Sequence, residues 1–127
     1  MDRIDIHIEV PTMDYEELAS LGAGEASSEI RKRTTGARAV QRERFRNDTG
    51  THCNADMKSK QMQKYCKTTA AAGDILKMAI TELNFSARAY DRILKVARTI
   101  ADMNEDDIIS EEHVAEAIQY RSLDRAI

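Results

Sequence analysis

The sequence predicts a mainly α protein, a small helical bundle preceded by one β-strand and a connecting helix. Three observations carry this reading. The 127 residues include one Pro, five Gly and 5% aromatics, beside many Ala, Leu and Met, which lose little rotamer freedom in a helix. Apolar residues recur at helical spacing throughout the second half of the chain. Period-two alternation occurs once, at the start. With 42% hydrophobic and 32% charged residues, the composition is that of a single globular core.

Residues 3 to 10 set Ile4, Ile6, Ile8 and Val10 against Asp5, His7 and Glu9, the alternation of a half-buried strand. Pro11 ends it. A lone strand has no partners for its backbone hydrogen bonds in water, so its sheet is expected outside the segment that follows. After a loop through Gly22 and Gly24, residues 28 to about 45 read as a polar helix, with Ser27 or Ser28 as cap and Glu29 in the first turn. Its apolar stripe is thin, Ile30, Ala37, Val40 and Phe45, so it should lean on another domain or subunit. The stretch 46 to 58, rich in Asn, Asp, Thr and Gly, reads as a connector. Residues 1–50 are thus expected to form the edge of a core domain with its connector, and residues 51–127 a helical domain.

Within that domain a short helix from Ser59 to Cys66 should bury Met62, Tyr65 and Cys66. A second, from about Thr69 to Leu83, places Ile75, Leu76, Ala79, Ile80 and Leu83 on one face. Ser86 then caps the clearest amphipathic helix, which turns Ile93, Leu94, Ala97, Ile100 and Ala101 inward. Ser110, followed by Glu111 and Glu112, opens a last helix that buries Val114, Ala117 and Ile118.

The net charge of −3 is unevenly spread. Seven cations, Arg31, Lys32, Arg33, Arg38, Arg42, Arg44 and Arg46, face Glu43 alone between residues 31 and 46. Such a run suits a solvated face, a phosphate-bearing partner or an acidic neighbouring subunit. No apolar run approaches the roughly 20 residues that cross a bilayer, and the start lacks a basic-then-apolar leader, so no membrane partner is expected and the cytoplasm is the expected compartment. Cys53 and Cys66 are accordingly expected as reduced thiols.

No GxxxxGK[ST] phosphate cradle occurs, and no apolar strand ends in paired acids. The chain alone should not hydrolyse ATP. CxxC, HExxH and GxSxG patterns are missing as well. His52, Cys53 and Cys66 lack a fourth ligand and match no zinc spacing, so no metal site is expected.

MDRIDIHIEVP at the start, FSARAYDRILKVARTIAD and HVAEAIQYRSLDR at the end resemble the C-terminal third of the magnesium-chelatase-like AAA+ ATPases, of the ComM (YifB) subfamily. The resemblance implies that the bundle is an AAA+ C-terminal lid and that strand 3–10 and the basic helix come from the AAA+ core. The phosphate-binding loop, magnesium-binding segment and first sensor would then lie upstream of Met1, making Met1 the start of an expressed piece.

Two arginines acquire roles by the same resemblance. Arg3, in Asp2-Arg3-Ile4-Asp5, matches the arginine finger, which reaches across a subunit boundary to the γ-phosphate; spacing alone would pair it with Asp2 or Asp5. Arg88, in Ser86-Ala87-Arg88-Ala89, matches the sensor 2 arginine. In a helix's first turn a cation is mildly disfavoured by the macrodipole, and a bound phosphate would compensate; read without the family it is an exposed arginine. Arg92, Lys95, Arg98, Arg121 and Arg125 read as surface and helix-end charges, with a tie of the final helix to the core domain as the alternative for the last two. His113 reads as a partly buried neutral histidine, and Tyr90 and Tyr120 as core or rim aromatics.

The implied function is an ATP-driven ring motor, a homo-oligomer expected to be a hexamer, acting on DNA in branch migration or competence-related recombination. ATP and Mg2+ are the expected cofactors of the whole protein, with neither held tightly by this segment, whose first partner is the rest of its own AAA+ core. Two alternatives stay open: a magnesium chelatase subunit serving porphyrin metallation, and a helical interaction module with no enzymatic parent.

Overall fold

A computed structural model describes residues 5–8, 14–20 and 24–121. Its elements are α1 (Tyr15–Ser20), α2 (Ser27–Arg44), a 3-10 turn (Asn54–Asp56), α3 (Ser59–Tyr65), α4 (Ala70–Glu82), α5 (Ala87–Met103) and α6 (Glu111–Gln119). Among the described residues there is no sheet; Thr68 and Ile109 form an isolated parallel bridge. The fold is the small helical bundle expected from the sequence.

Helix starts follow their caps. The Thr69 hydroxyl accepts from the Ala72 amide at the head of α4, and the Ser86 hydroxyl accepts from the Ala89 amide at the head of α5. In α6 the Ser110 amide donates to Nδ1 of His113 at 2.9 Å, leaving Nε2 to donate to Asp106 at 3.0 Å. His113 is therefore a buried element of the cap. α2 departs from expectation: its N-cap is Ala26, with no side-chain cap, so neither Ser27 nor Ser28 has that duty. Two helices end on left-handed residues, α4 just before Asn84 and α5 just before Glu105, the conformation that satisfies terminal carbonyls. α1 adds a helix ahead of α2 that the sequence pattern did not announce.

α4, α5 and α6 enclose the core, with α5 central. Ala72, Ala79, Ala89, Ala97, Ala101 and Ala117 are all buried, and these small side chains let helices approach closely. Ile93, Leu94, Leu76, Ile109 and Val114 fill the spaces between them. The bridge at Thr68 and Ile109 joins the two helix connections through amide-to-carbonyl bonds of 2.9 and 3.0 Å. The Ile75, Ile80, Leu83, Ile100 and Ile118 side chains, expected inward, are partly buried at its edge.

The C-terminal half of α2 docks on α5 through Ala37, Gln41 and Arg44, while residues 27–36 are all exposed. Ile30 and Val40, two members of the expected apolar stripe, face solvent instead. Phe45 reaches the core and meets Tyr65 edge-on at 5.4 Å. The connector is ordered, because Asn54 inside it is buried and hydrogen-bonded to Gln41, Thr99 and Asp102.

The joint between α2 and α5 is polar. Asp102, with a fully buried carboxylate, receives Arg44 in a two-pronged pair of 2.6 and 2.8 Å, Asn54 at 2.9 Å and Arg98 Nε at 3.2 Å. Arg98 is itself buried, and its terminal nitrogens donate to the carbonyls of Tyr65, Asp106 and Asp107 at 2.5 to 3.1 Å. The sequence reading of Arg98 as a surface charge is thus overturned: it lies on the Leu94-Ala97-Ala101 face of α5. Arg121, likewise read as a surface or helix-end charge, is fully buried.

Of the strand expected over 3–10, residues 5–8 are described, and they form irregular backbone with no ladder partner. Their burial is also inverted, with His7 covered while Ile6 and Ile8 are 47% and 67% exposed. With no sheet beside it, the segment has no apolar face to present to; it rests on the bundle through the His7 amide, which donates to the Tyr120 carbonyl at 2.5 Å.

Asp102→Ala would leave the buried Arg98 and the partly buried Arg44 without their carboxylate, a change that costs about 3–5 kcal/mol. Urea unfolding of wild type and variant should show that loss; a difference under about 1 kcal/mol would mean that apolar packing alone seats α2.

Candidate functional site

A groove with a volume of about 660 Å3 lies along α5. One wall is α5 from Arg88 to Met103; the other is the segment 5–8, and Tyr120 closes one end. Arg88, Arg92 and Lys95 follow one another at i, i+4 and i+7, so helical geometry lines them up on one stripe. Two of the three are engaged. Arg92 pairs with Asp5, and Lys95 donates to the Ala55 carbonyl at 3.1 Å.

Arg88 stands apart. It is exposed in the first turn of α5, borders the groove, and has no hydrogen-bond or ion-pair partner among the described residues. Ser86 takes the Ala89 amide; the first amides of a helix have no partner within it and make its start the positive end. A planar cationic fork at a helix start is a donor set that fits a phosphate group. The remaining lining mixes apolar side chains, including the solvent-exposed Ile6, Ile8 and Met103, with Asp91, Thr99 and Glu116.

Other residues singled out from the sequence fall as follows. Arg3 lies outside the described residues, as does Arg125. Tyr90 packs against the core edge. Tyr120 is half-buried at the groove, and its hydroxyl donates to Glu116, which holds the phenol above its ordinary pKa. No helix among the described residues is long and apolar enough to cross a membrane. The Asp102 network escaped the sequence reading, although its trace was present: Arg98 interrupts an apolar stripe, and Asp102 follows it at i+4.

The comparisons with known proteins support an AAA+-type lid for this helical bundle. The chain matches the family "Magnesium chelatase, subunit ChlI C-terminal" over residues 24–121 and belongs to it. It is 38% identical across its whole length to the competence protein ComM of Haemophilus influenzae and 34% identical to the uncharacterized protein YifB of Escherichia coli. An uncharacterized Mycobacterium tuberculosis protein, Rv2897c, is 27% identical over 95% of the chain. In each case the chain spans 24% of the relative's length.

Outside the groove, the connector brings together His52, Cys53 and Asp56 in a turn where the Asp56 carboxylate accepts from the His52 amide at 3.1 Å. That bond, the largest cause, holds the Asp56 carboxyl below its ordinary pKa. Cys53 and Cys66 are both free thiols, and no metal-holding group of three or more His, Cys, Asp or Glu occurs among the described residues. Cys66 lies in the core, where burial pushes its thiol up to about 11. The folded chain therefore keeps a proton that the unfolded chain releases above the ordinary value of 9.0. Stability from this group should be intact below pH 9 and fall as pH rises to about 11. At mildly alkaline pH a thiol reagent should label Cys53 readily and Cys66 only on unfolding; equal labelling of both in the folded chain would contradict this burial.

Proposed function

We propose that this chain is the lid of an AAA+ ring ATPase that acts on DNA, with Arg88 as its sensor 2 arginine. The carrying observation is Arg88 itself: exposed, unpaired among the described residues, and set at the head of α5. ATP with Mg2+ supplies the transferable phosphoryl group and its neutralising cation when bound. Arg88 would then take a phosphate oxygen in its fork, and its rigid seat on α5 would pass any displacement to the whole bundle. Because one arginine at a helix start is a small part of a nucleotide site, this segment alone should hold ATP weakly. The other donors would come from the rest of the core.

Arg3 would act in trans as the arginine finger of the neighbouring subunit, in a ring expected to be hexameric. Similarity to a competence protein supports DNA as the material acted upon, through branch migration or recombination. The magnesium chelatase description of the family supports a second reading, in which the ATPase drives metal insertion into a porphyrin.

ATP turnover by the full-length protein, with and without branched DNA, separates these readings. DNA should stimulate the wild type; Arg3→Ala should lower turnover by about 10³-fold and Arg88→Ala by roughly 10²-fold. Turnover that ignores DNA and rises with protoporphyrin would transfer the protein to the chelatases. Wild-type rates in both variants would remove the two arginine roles.

A further inference from the structure

The cations of the basic segment do not share one fate. Lys32 pairs with Glu29 and Arg33 with Glu25. Arg44 is consumed by Asp102 in the joint with α5, and Arg46 pairs with Glu43. Those contacts use every acidic residue between 24 and 46. The three cations left, Arg31, Arg38 and Arg42, are exposed, and their guanidinium groups have no hydrogen-bond or ion-pair partner among the described residues.

Their positions on α2 are not scattered. Arg31, Arg38 and Arg42 lie at i, i+7 and i+11, and at 3.6 residues per turn they fall within an arc of about 40°. Thr35, exposed at i+4, completes the row. The row runs about 16 Å along the axis and holds no acid. It lies to one side of the face, Ala37 and Gln41, that docks on α5. The first ten residues of α2, 27–36, touch no core and stand clear of the bundle. A polar helix projecting in this way gains little from its own burial; a partner along its free side would supply the missing contacts.

We propose that the row Arg31, Thr35, Arg38 and Arg42 is a contact surface for the phosphodiester backbone of DNA. A linear file of guanidinium forks with an interleaved hydroxyl offers donors in succession to a regularly repeating row of phosphate oxygens. An acidic protein surface would ask for less regularity, and its carboxylates are not compelled into a straight file. With no aromatic side chain on the row, the surface offers no platform for base stacking, and its guanidinium forks are assigned to phosphate oxygens. The choice of DNA rests on the proposed DNA-motor function; the location rests on the pairing pattern alone.

The test uses the full-length protein and fluorescein-labelled oligonucleotides, single-stranded and duplex, titrated by anisotropy across a salt series. The variant Arg31→Ala/Arg38→Ala/Arg42→Ala should bind roughly 10–100-fold more weakly at physiological salt, with the slope of log K against log salt reduced by about two to three. The control Lys32→Ala/Arg33→Ala/Arg46→Ala should keep near-wild-type affinity, and both variants should keep the basal ATP turnover seen without DNA. Equal DNA binding by wild type and the first variant would overturn the surface while leaving the DNA-motor reading intact. A wild type that binds no DNA would overturn both. Loss of ring assembly in the first variant, with DNA affinity per subunit preserved, would assign the row to an acidic neighbouring subunit instead.

Discussion

The arrangement of this molecule hangs on one buried carboxylate. Asp102 is surrounded by the guanidiniums of Arg44 and Arg98 and the amide of Asn54, and each comes from a different part of the chain. Ions removed from water are costly, and their attraction offsets the cost only when geometry is good and the remaining donors are satisfied. Here Arg44 supplies a two-pronged bond and three carbonyls receive the terminal nitrogens of Arg98, while Arg98 Nε meets Asp102 as an ion pair at 3.2 Å without a hydrogen bond. α2 has little apolar surface with which to choose its own seat on α5, so the ion pair and the Asn54 contacts select it.

From that joint the rest follows by rigid connection. Arg98 holds the end of α3 and the α5–α6 loop through their backbone carbonyls, which keeps α5 in register with its neighbours. The alanine seams of α4, α5 and α6 then close around it. One end of α5 presents Arg88 to the groove; near its other end Asp102 anchors α2 and thereby directs the free part of that helix away from the bundle. The groove beside Arg88 and the basic row are thus carried on two helices that share a single polar weld.

Much of this was open to reading from residue order. The helices α3 to α6 announced themselves through apolar spacing, and Thr69, Ser86 and Ser110 marked three of their starts, because caps and amphipathic faces are local properties. The proposal of Arg88 as a site residue came from the Ser86-Ala87-Arg88-Ala89 string and its family resemblance, not from spacing. Arg98, Arg121 and the thin stripe of α2 were misread for one reason: an arginine or an isoleucine takes the burial that its neighbours in space impose. Arg98 occupies a position its helix turns inward, and Ile30 a position with nothing to turn towards.

The sequence by itself determined that the chain is helical, where most helices begin, and that it lacks a phosphate cradle of its own. Tertiary structure alone decided which charges are spent inside the fold and which remain on the surface. That decision needs contacts between residues far apart in the chain, such as Arg44 with Asp102, 58 positions away, and no local pattern encodes them. Alternation at residues 4 to 8 shows the converse: a period-two signal specifies a strand only where a sheet stands beside it to accept its hydrogen bonds and cover its apolar face.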